Sequence, residues 1–241
     1  MKILALETST LMGSAALVID GKVIAEKSSR KQRSHSEVLN TFIEEVLQIG
    51  GVSLAQIDCF AVGKGPGSFT GLRIAGNVGK TLAYSYQKPM VAIDSLTLLA
   101  AATAQKKLLS NPGSEWPVFS MVNAYKNMVY FGLFKNVASF PEFISGPGVI
   151  PVKSLASVLT EKCLIVGDGF TSYEGFFPES ISHFMYRDSN FSDEPMASTL
   201  GLLATTQVQK GLTLDWNSFV PLYIRASEAE ETKRGIFITS L

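Results

Sequence analysis

The stretch that decides the fold is residues 2–27, KILALETSTLMGSAALVIDGKVIAEK. It contains three short apolar runs, Lys2–Glu7, Ser14–Asp20 and Lys22–Lys27, each with the length and composition of a β-strand. The dipeptide Asp20-Gly21 joins the second run to the third and favours a type I′ hairpin turn. These residues therefore predict a meander of three neighbouring strands at the start of the chain.

Helical and strand patterns alternate after this meander. Apolar residues at helical spacing predict a helix that starts near a capping box at Ser34–Glu37 and ends at Gly50-Gly51. The order of the first half is therefore βββαβαβα. Its remaining predicted elements are a strand over Cys59–Gly63, a helix over Leu72–Tyr86, a strand over Pro89–Ile93 and a helix over Ser95–Lys106.

A looser α/β pattern follows the best linker candidate, Asn111–Pro117. Its predicted elements are a hairpin of Val118–Asn123 and Met128–Phe134, a helix near Ser154–Glu161, a strand at Cys163–Val166, a turn at Gly167–Gly169 and a helix near Met196–Gln209. The chain is thus predicted to be an α/β protein with two similar lobes, residues 1–110 and 117–241. Duplicated βββαβαβα lobes are the two-lobed actin/sugar-kinase/Hsp70-like (ASKHA) architecture, which by itself does not define a function.

Composition excludes several classes of protein. Hydrophobic residues make up 46% of the 241 residues and charged residues 17%, which is ample for an ordered core. Because 21 basic residues balance 21 acidic ones, the chain is not expected to bind nucleic acid by itself. The distant pair Cys59 and Cys163 suits a reducing cytoplasm, and no apolar run is long enough to predict a membrane span. With His35 and His183 as the only histidines, no zinc-hydrolase motif can be written and no metal site is expected.

Two loops lie where the ASKHA architecture places its phosphate-binding hairpins. One follows the first strand and the other, GPGSFTG, precedes a helix, where backbone N–H groups can hold an anion. The alternative is that the glycines only permit a tight connection between strand and helix. The candidate phosphate-loop residues are Glu7, Thr8, Ser9, Gly65, Gly67, Ser68, Thr70, Gly71 and Arg73.

Small residues recur at every fourth position of one predicted helix, namely Gly71, Ala75, Gly79 and Ala83, with Gly76 beside them. One face of this helix therefore carries almost no side chains. Two interpretations stay open: close packing on the sheet of its own lobe, or an interface with another subunit beside the apolar stripe of the helix over Val38–Leu47.

Three stretches of this sequence resemble one family: KILALETS from Lys2, RSHSEVLNTFIEEVL from Arg33, and GKGPGSFTGLRIAGNVGKTLAYSYQKPMVAIDSLTLLA from Gly63. They resemble the TsaB (YeaZ) family of bacterial tRNA threonylcarbamoyladenosine biosynthesis proteins, which is also called glycoprotease M22-like. The string GPGSFTGLRI is highly specific to that family. The likeness continues loosely through Val122–Phe131, Ile165–Gly169 and Pro221–Arg225.

The resemblance implies a role without catalysis. TsaB is a paralogue of TsaD, which transfers the threonylcarbamoyl group to the adenosine beside the tRNA anticodon. TsaD uses a metal site on a His-x-x-x-His pair, which His35 and His183 cannot reproduce, so peptidase activity is not expected either. The implied function is a scaffold or regulatory subunit that pairs with TsaD, recruits the ATPase TsaE and meets tRNA only within the complex. No cofactor is required, with ATP or ADP left open at the partner interface.

The resemblance also implies where partners bind, because the family pairs through helices that correspond to Ser36–Ile49 and Gly71–Tyr86. A chain on its own is then expected to form a homodimer through the same face. The interface residues expected on this basis are Glu37, Val38, Phe42, Leu72, Ala75, Gly76, Gly79 and Ala83.

Two features depart from the family or stay unassigned. The family commonly has Asp-Ala-Arg-x-Gly-Glu-Val-Tyr where this chain has Asn123–Tyr130, NAYKNMVY, so the acidic and arginine positions are lost. The tail Ala229–Leu241 has no predicted function. The alternative function is a stand-alone nucleotide-binding ATPase or kinase of the same fold, for which Glu7 is the only obvious acidic candidate in the first lobe.

Overall fold

The computed structural model describes residues 1–30, 35–107, 116–135, 140–188 and 193–226. The chain divides into two compact units, of which the first is formed by Met1–Leu98 and Pro195–Leu222, and the second by Leu99–Glu194 and the residues from Tyr223 onward. The predicted lobes 1–110 and 117–241 differ from these units, because residues 195–222 belong to the first unit. Most of the predicted linker and the whole of the tail lie outside the described residues.

The first unit is built on a five-stranded mixed sheet in the order β3-β2-β1-β4-β5. The predicted meander is confirmed, since β1–β2 and β2–β3 are antiparallel, while β1, β4 and β5 run parallel. Asp20 and Gly21 have φ angles of 50° and 73°, both positive as a type I′ turn requires. The strands are β1 (Lys2–Glu7), β2 (Gly13–Ile19), β3 (Lys22–Ser29), β4 (Cys59–Gly63) and β5 (Met90–Ile93).

Helices cover both faces of this sheet. On one face, α1 (His35–Gly50) and α2 (Phe69–Tyr86) pack over a core that includes Leu17 and Phe60. On the other face lies α5 (Ala197–Gln209), which contacts all five strands. No helix within the described ranges is long and apolar enough to cross a membrane.

The position of α5 corrects the predicted lobe boundary. Its first backbone N–H groups are capped by the first sheet: Ala197 donates to the Ser14 hydroxyl at 3.0 Å and Ser198 to the Glu26 carboxylate at 2.7 Å. Gly201 packs so closely on β2 that a Cβ there would lie 2.5 Å from a methyl group of Val18. Such long-range caps and contacts leave no local signal in the sequence around α5, and chain order alone therefore predicts this helix in the second lobe, whereas it belongs to the first unit.

The second unit repeats the topology of the first. Its sheet has the order β8-β7-β6-β9-β10, with the first three strands antiparallel and β6, β9 and β10 parallel, so each strand matches one of the first sheet. The predicted duplication is thereby confirmed. The strands are β6 (Val118–Asn123), β7 (Met128–Phe134), β8 (Phe143–Pro151), β9 (Cys163–Val166) and β10 (Met185–Tyr186).

The helices of the second unit differ from the prediction. Helix α3 (Ser95–Lys107) begins in the first unit and continues into the second, and α4 (Asp168–Tyr173) starts at the predicted turn. The predicted helix near Ser154–Glu161 is only a 3₁₀ segment, Val152–Ser157. Serine side chains compete there for backbone groups, since the Ser157 hydroxyl donates to the Ser154 carbonyl oxygen at 2.9 Å.

The two cysteines are buried free thiols, with Cys59 at 0% and Cys163 at 1% exposure. Burial raises the pKa of each thiol from 9.0 to about 12. Because both folded pKa values lie above the unfolded one, this contribution to stability is complete below pH 9 and is lost as the pH rises toward 12.

We therefore expect the urea midpoint of unfolding to fall steeply between pH 9 and pH 11, and a Cys59→Ala, Cys163→Ala variant to show a shallower fall. An aromatic disulfide reagent should label neither thiol in the native protein at pH 8 and both after denaturation. Rapid labelling of the native protein would contradict the buried placement.

Candidate functional site

The two predicted loops lie against each other at the carboxyl ends of β1 and β4. The Ser68 N–H donates to the Ser9 carbonyl oxygen at 2.6 Å, and the Thr8 hydroxyl donates to the Gly71 carbonyl oxygen at 2.7 Å. A Cβ on Gly67 would lie 2.1 Å from the Ser9 oxygen, and one on Gly71 would lie 1.8 Å from the Thr8 oxygen. These two glycines are therefore required for the contact between the loops.

A buried carboxylate holds the first loop in place. The Glu7 side chain is completely buried, and its Oε1 accepts a hydrogen bond from the Ser9 N–H at 2.5 Å. Gly63 leaves room for this carboxylate, because a Cβ there would lie 1.8 Å from Oε2. The Ser95 hydroxyl also donates to the Ser9 hydroxyl at 2.8 Å, and the Ser95 N–H to the Gly65 carbonyl oxygen at 2.8 Å. The first loop is thus tied to the second loop and to the start of α3.

A second acidic side chain, Asp94, has a structural task at the start of α3. Its two oxygens accept hydrogen bonds from the N–H and the hydroxyl of Thr97, at 2.8 and 2.6 Å. Burial raises the pKa of Asp94, while the hydrogen bonds from Thr97 and the charge of Lys64 act in the opposite direction. The Asp94 carboxylate therefore caps the first turn of α3.

Three backbone donors of the candidate phosphate loops are used within the loops. The N–H groups of Ser9 and Ser68 make the bonds described above, and the Gly71 N–H donates to the Ser68 hydroxyl at 3.2 Å, which caps α2. In this arrangement the three N–H groups hold the loops together rather than an anion. Thr70 and Arg73 are exposed on α2, and the Arg73 guanidinium lies over the Phe69 ring, 5.9 Å from its centre.

The small-residue face of α2 packs inside the first unit. A Cβ on Gly79 would lie 2.4 Å from Cγ1 of Val62 on β4, and one on Gly76 would lie 2.6 Å from the Phe219 ring. The other members of the row are also covered, and the neighbouring Leu72 is 1% exposed. Close packing on the sheet of its own unit, one of the two interpretations left open, accounts for these small residues without a second subunit.

Five of the eight expected interface residues are therefore buried within the unit, namely Leu72, Ala75, Gly76, Gly79 and Ala83. Val38 and Phe42 are half-buried, and the side chain of Glu37 lies outside the described part of the structure. A surface partner can reach Val38 and Phe42 directly, whereas the buried five act only by allowing α2 to lie close to its sheet.

The outer surfaces of α1 and α2 carry half-buried apolar residues, of which the sequence analysis identified Val38 and Phe42 on α1 but not those on α2. The two helices contact each other, and the half-buried residues of α2 form a row that packs against the core of the first unit. The signal for it was present, because the α2 members stand at four-residue spacing immediately before Ala75, Gly79 and Ala83. We call this surface the α1–α2 face, formed by Val38, Phe42, Ile74, Val78 and Leu82.

The charges on the two helices are segregated. Helix α2 contains two basic residues, Arg73 and Lys80, and no acidic one, whereas α1 contains three glutamates and neither lysine nor arginine. Glu44 is exposed, and Glu45 forms an ion pair with Lys27 of β3 at 2.9 Å. An acidic helix beside a basic one gives a surface whose two halves can complement each other across a two-fold axis.

The fold and the two loops place this chain in the class of two-lobed ASKHA-type proteins. Two units share one ASKHA-type sheet topology, and the loops at the phosphate positions are closed on each other. In the part of the chain that the structure describes, no three His, Cys, Asp or Glu side chains are grouped to hold a metal ion. The model of the TsaD family, tRNA N6-adenosine threonylcarbamoyltransferase, matches residues 22–233, and the chain belongs to this family.

Similarity over nearly the full length is to TsaB proteins. The tRNA threonylcarbamoyladenosine biosynthesis protein TsaB of Haemophilus influenzae is 28% identical over 236 residues, covering 93% of this chain and 94% of that protein. TsaB of Bacillus subtilis is 27% identical over 233 residues, covering 95% and 96%. A crystal structure from Pseudomonas aeruginosa, described as similar to the peptidase YeaZ, is 28% identical, covers 93% of this chain and 99% of that one, and superposes with a TM-score of 0.79. The predicted resemblance to TsaB (YeaZ) and the predicted fold class are confirmed.

Proposed function

We propose that this chain is a non-catalytic subunit of the cytoplasmic complex that forms N6-threonylcarbamoyladenosine next to the tRNA anticodon. In this role it pairs with a TsaD-type transferase and recruits a TsaE-type ATPase. Whole-length similarity to TsaB proteins supports the pathway. The observation that carries the non-catalytic role is the closed arrangement of the Glu7–Thr10 and Gly65–Gly71 loops, in which the N–H groups of Ser9, Ser68 and Gly71 bond to acceptors of the loops themselves.

The closed loops also support the proposal that this chain requires no cofactor of its own. A kinase or ATPase of this fold needs donors that face the nucleotide phosphates and a carboxylate near the transferred group. Here the Glu7 carboxylate is completely buried and accepts a hydrogen bond from the Ser9 N–H, so its role is to hold the loop in place. We propose that any ATP or ADP in the assembly lies at the partner interface. A histidine count of two argues against a metallopeptidase.

The α1–α2 face is the surface we propose for pairing. Its half-buried apolar row would be covered by a partner, and the acidic α1 and basic α2 would set the orientation. The same complementarity supports a homodimer when the chain is alone, with α1 of one copy against α2 of the other. Since the net charge is zero, tRNA is met through the complex rather than by this chain alone.

A drop-out reconstitution tests this proposal. Purified TsaC, TsaD and TsaE with tRNA, ATP, threonine and bicarbonate should form threonylcarbamoyladenosine only when this chain is added, because the transferase would lack its pairing subunit. The modified nucleoside is quantified by mass spectrometry of digested tRNA. Equal product with and without the chain would overturn the proposal, and ATP hydrolysis by the chain alone would favour the stand-alone ATPase.

A further inference from the structure

A cavity of about 340 Å³ opens at the end of α2 in the first unit. It lies between the turn Gln87–Pro89 and the segment Thr213–Trp216. All the residues that line it lie outside the two closed loops and the α1–α2 face, so the proposed function does not use it. Cavities of about 300–1,000 Å³ have the size that binds small molecules.

Hydrogen bonds hold both walls of the cavity in place. Leu214 exchanges two backbone hydrogen bonds with Met90 of β5, each 2.9 Å long, so its segment lies along the edge of the first sheet. On the opposite wall, Gln87 ends α2 in a left-handed conformation with a φ of 51°, and its Nε2 donates to the Tyr84 carbonyl oxygen at 2.6 Å. A ligand would therefore enter a site that is formed before it binds, which lowers the entropic cost of binding.

One side of the cavity is aromatic. Trp216 is half-buried and packs against the core of the first unit. Its ring meets that of Tyr84 edge to face, with 5.0 Å between the ring centres and 69° between the ring planes. An aromatic surface that is fixed in this way can hold the apolar part of a ligand.

Two opposite charges line the same cavity, Lys88 from the turn after α2 and Asp215 from the facing segment. Neither side chain forms a hydrogen bond or an ion pair within the described part of the chain. Asp215 stands at the N-cap position of the 3₁₀ segment Trp216–Ser218, where an aspartate ordinarily accepts a backbone hydrogen bond, but its side chain makes no such bond. Both charged groups are therefore free to bind a ligand.

The two charges restrict the kind of ligand that fits. An anion would be attracted by Lys88 and repelled by Asp215, and the reverse holds for a cation. A small zwitterion suits both side chains, because each of its charged groups can form a charge-assisted hydrogen bond. An α-amino acid carries an ammonium and a carboxylate group at one end and its side chain at the other, which matches a cavity with one charged pair and one aromatic wall.

We propose that this cavity binds a free α-amino acid with an apolar side chain. The carboxylate of the ligand lies at Lys88, its ammonium group at Asp215 and its side chain against Trp216. Because all the lining residues belong to one unit of one chain, the isolated chain is sufficient for binding, and the inference does not rest on the proposed function.

Tryptophan fluorescence tests this proposal. The chain has two tryptophans, so a Trp116→Phe variant retains Trp216 as its only indole reporter. Titration of this variant with L-leucine should give a saturable change in emission with a Kd below about 1 mM, and calorimetry on the wild-type chain should give the same Kd. N-acetyl-L-leucine and L-leucine amide each lack one of the two charges and should bind about tenfold more weakly.

Substitutions in the cavity assign the binding to these residues. Lys88→Met and Asp215→Asn should each weaken L-leucine binding about tenfold without changing the fold, because neither side chain has a hydrogen-bonding or ionic partner to lose. Lys210→Met is the matched control and should bind like the wild type, since Lys210 is an exposed lysine of the same unit that does not line the cavity.

The inference is overturned if no saturable signal is seen up to about 10 mM L-leucine in either measurement. Equal affinity for L-leucine and its two derivatives would also overturn it, because the charged pair would then play no part. Unchanged affinity in both the Lys88→Met and the Asp215→Asn variant would place the ligand elsewhere on the chain and reject the cavity as its site.

Discussion

Replacing Gly79 by leucine is expected to destabilise the first unit strongly. The position faces β4, where the added Cβ alone would lie 2.4 Å from Cγ1 of Val62 and 3.3 Å from the terminal methyl group of Met90. Both neighbours are completely buried, and valine has little rotamer freedom with which to move away. Forced overpacking of this kind should cost about 3–5 kcal/mol, measured as the change in the free energy of unfolding by urea.

Asn77→Leu is the matched control for this change. Asn77 lies two residues earlier on α2 but is exposed, so the same leucine should change stability by only about 0.5 kcal/mol. A Gly79→Leu variant with wild-type stability and impaired pairing would contradict the packing described here. That result would indicate that the small-residue face of α2 is exposed, and it would favour the subunit-interface interpretation.

Replacing Val78 by glutamate is expected to weaken pairing while leaving the fold intact. Val78 is half-buried in the centre of the α2 row of the α1–α2 face, so a carboxylate there can reach solvent in the free chain but not under a partner. Burying an unpaired charge at an interface centre should weaken association with a TsaD-type partner by about 2 kcal/mol or more, roughly 30-fold. Isothermal titration calorimetry measures the affinity, and circular dichroism confirms the fold.

Val220→Glu provides the control for the change of charge. Val220 belongs to the same unit, is 70% exposed and lies outside the α1–α2 face, so its variant should pair like the wild type. Equal affinities for the Val78→Glu variant and the wild type would place the partner on another surface. Neither result depends on the buried small residues, since both substituted positions lie outside that row.

Short buried strands were the elements best predicted from the sequence. Cys59–Gly63, Val118–Asn123, Met128–Phe134 and Cys163–Val166 have the predicted bounds, because continuous apolar runs between turn residues have few alternatives. Strand β8 was missed, since Phe143–Pro151 is largely exposed, lies at a sheet edge and contains Gly146-Pro147-Gly148, which reads as a turn. An edge strand needs only one partner, and its pattern therefore carries less information.

Part of the candidate site was also predicted from the sequence, and part of it was not. The loops after β1 and before α2 were predicted as a pair from their residue types and their places in the chain. Their closure was not, because it depends on distances between Ser9 and Ser68 and between Thr8 and Gly71 that no local pattern encodes. The small residues of α2 were recognised as a close-approach surface, but what approaches them was undetermined until Val62 and Phe219 were located.

The sequence by itself determined the meander, the alternation of strands and helices, the duplicated fold and the resemblance to TsaB, because periodicity, turn residues and motif strings are properties of neighbouring positions. The tertiary structure decided that α5 belongs to the first unit, that the phosphate-position loops are closed, and that the remote Leu214 pairs with Met90 of β5. These are contacts between residues tens to more than a hundred positions apart. Which of several compatible partners such a residue meets is decided by how the folded units pack, where burial and hydrogen bonding are satisfied together.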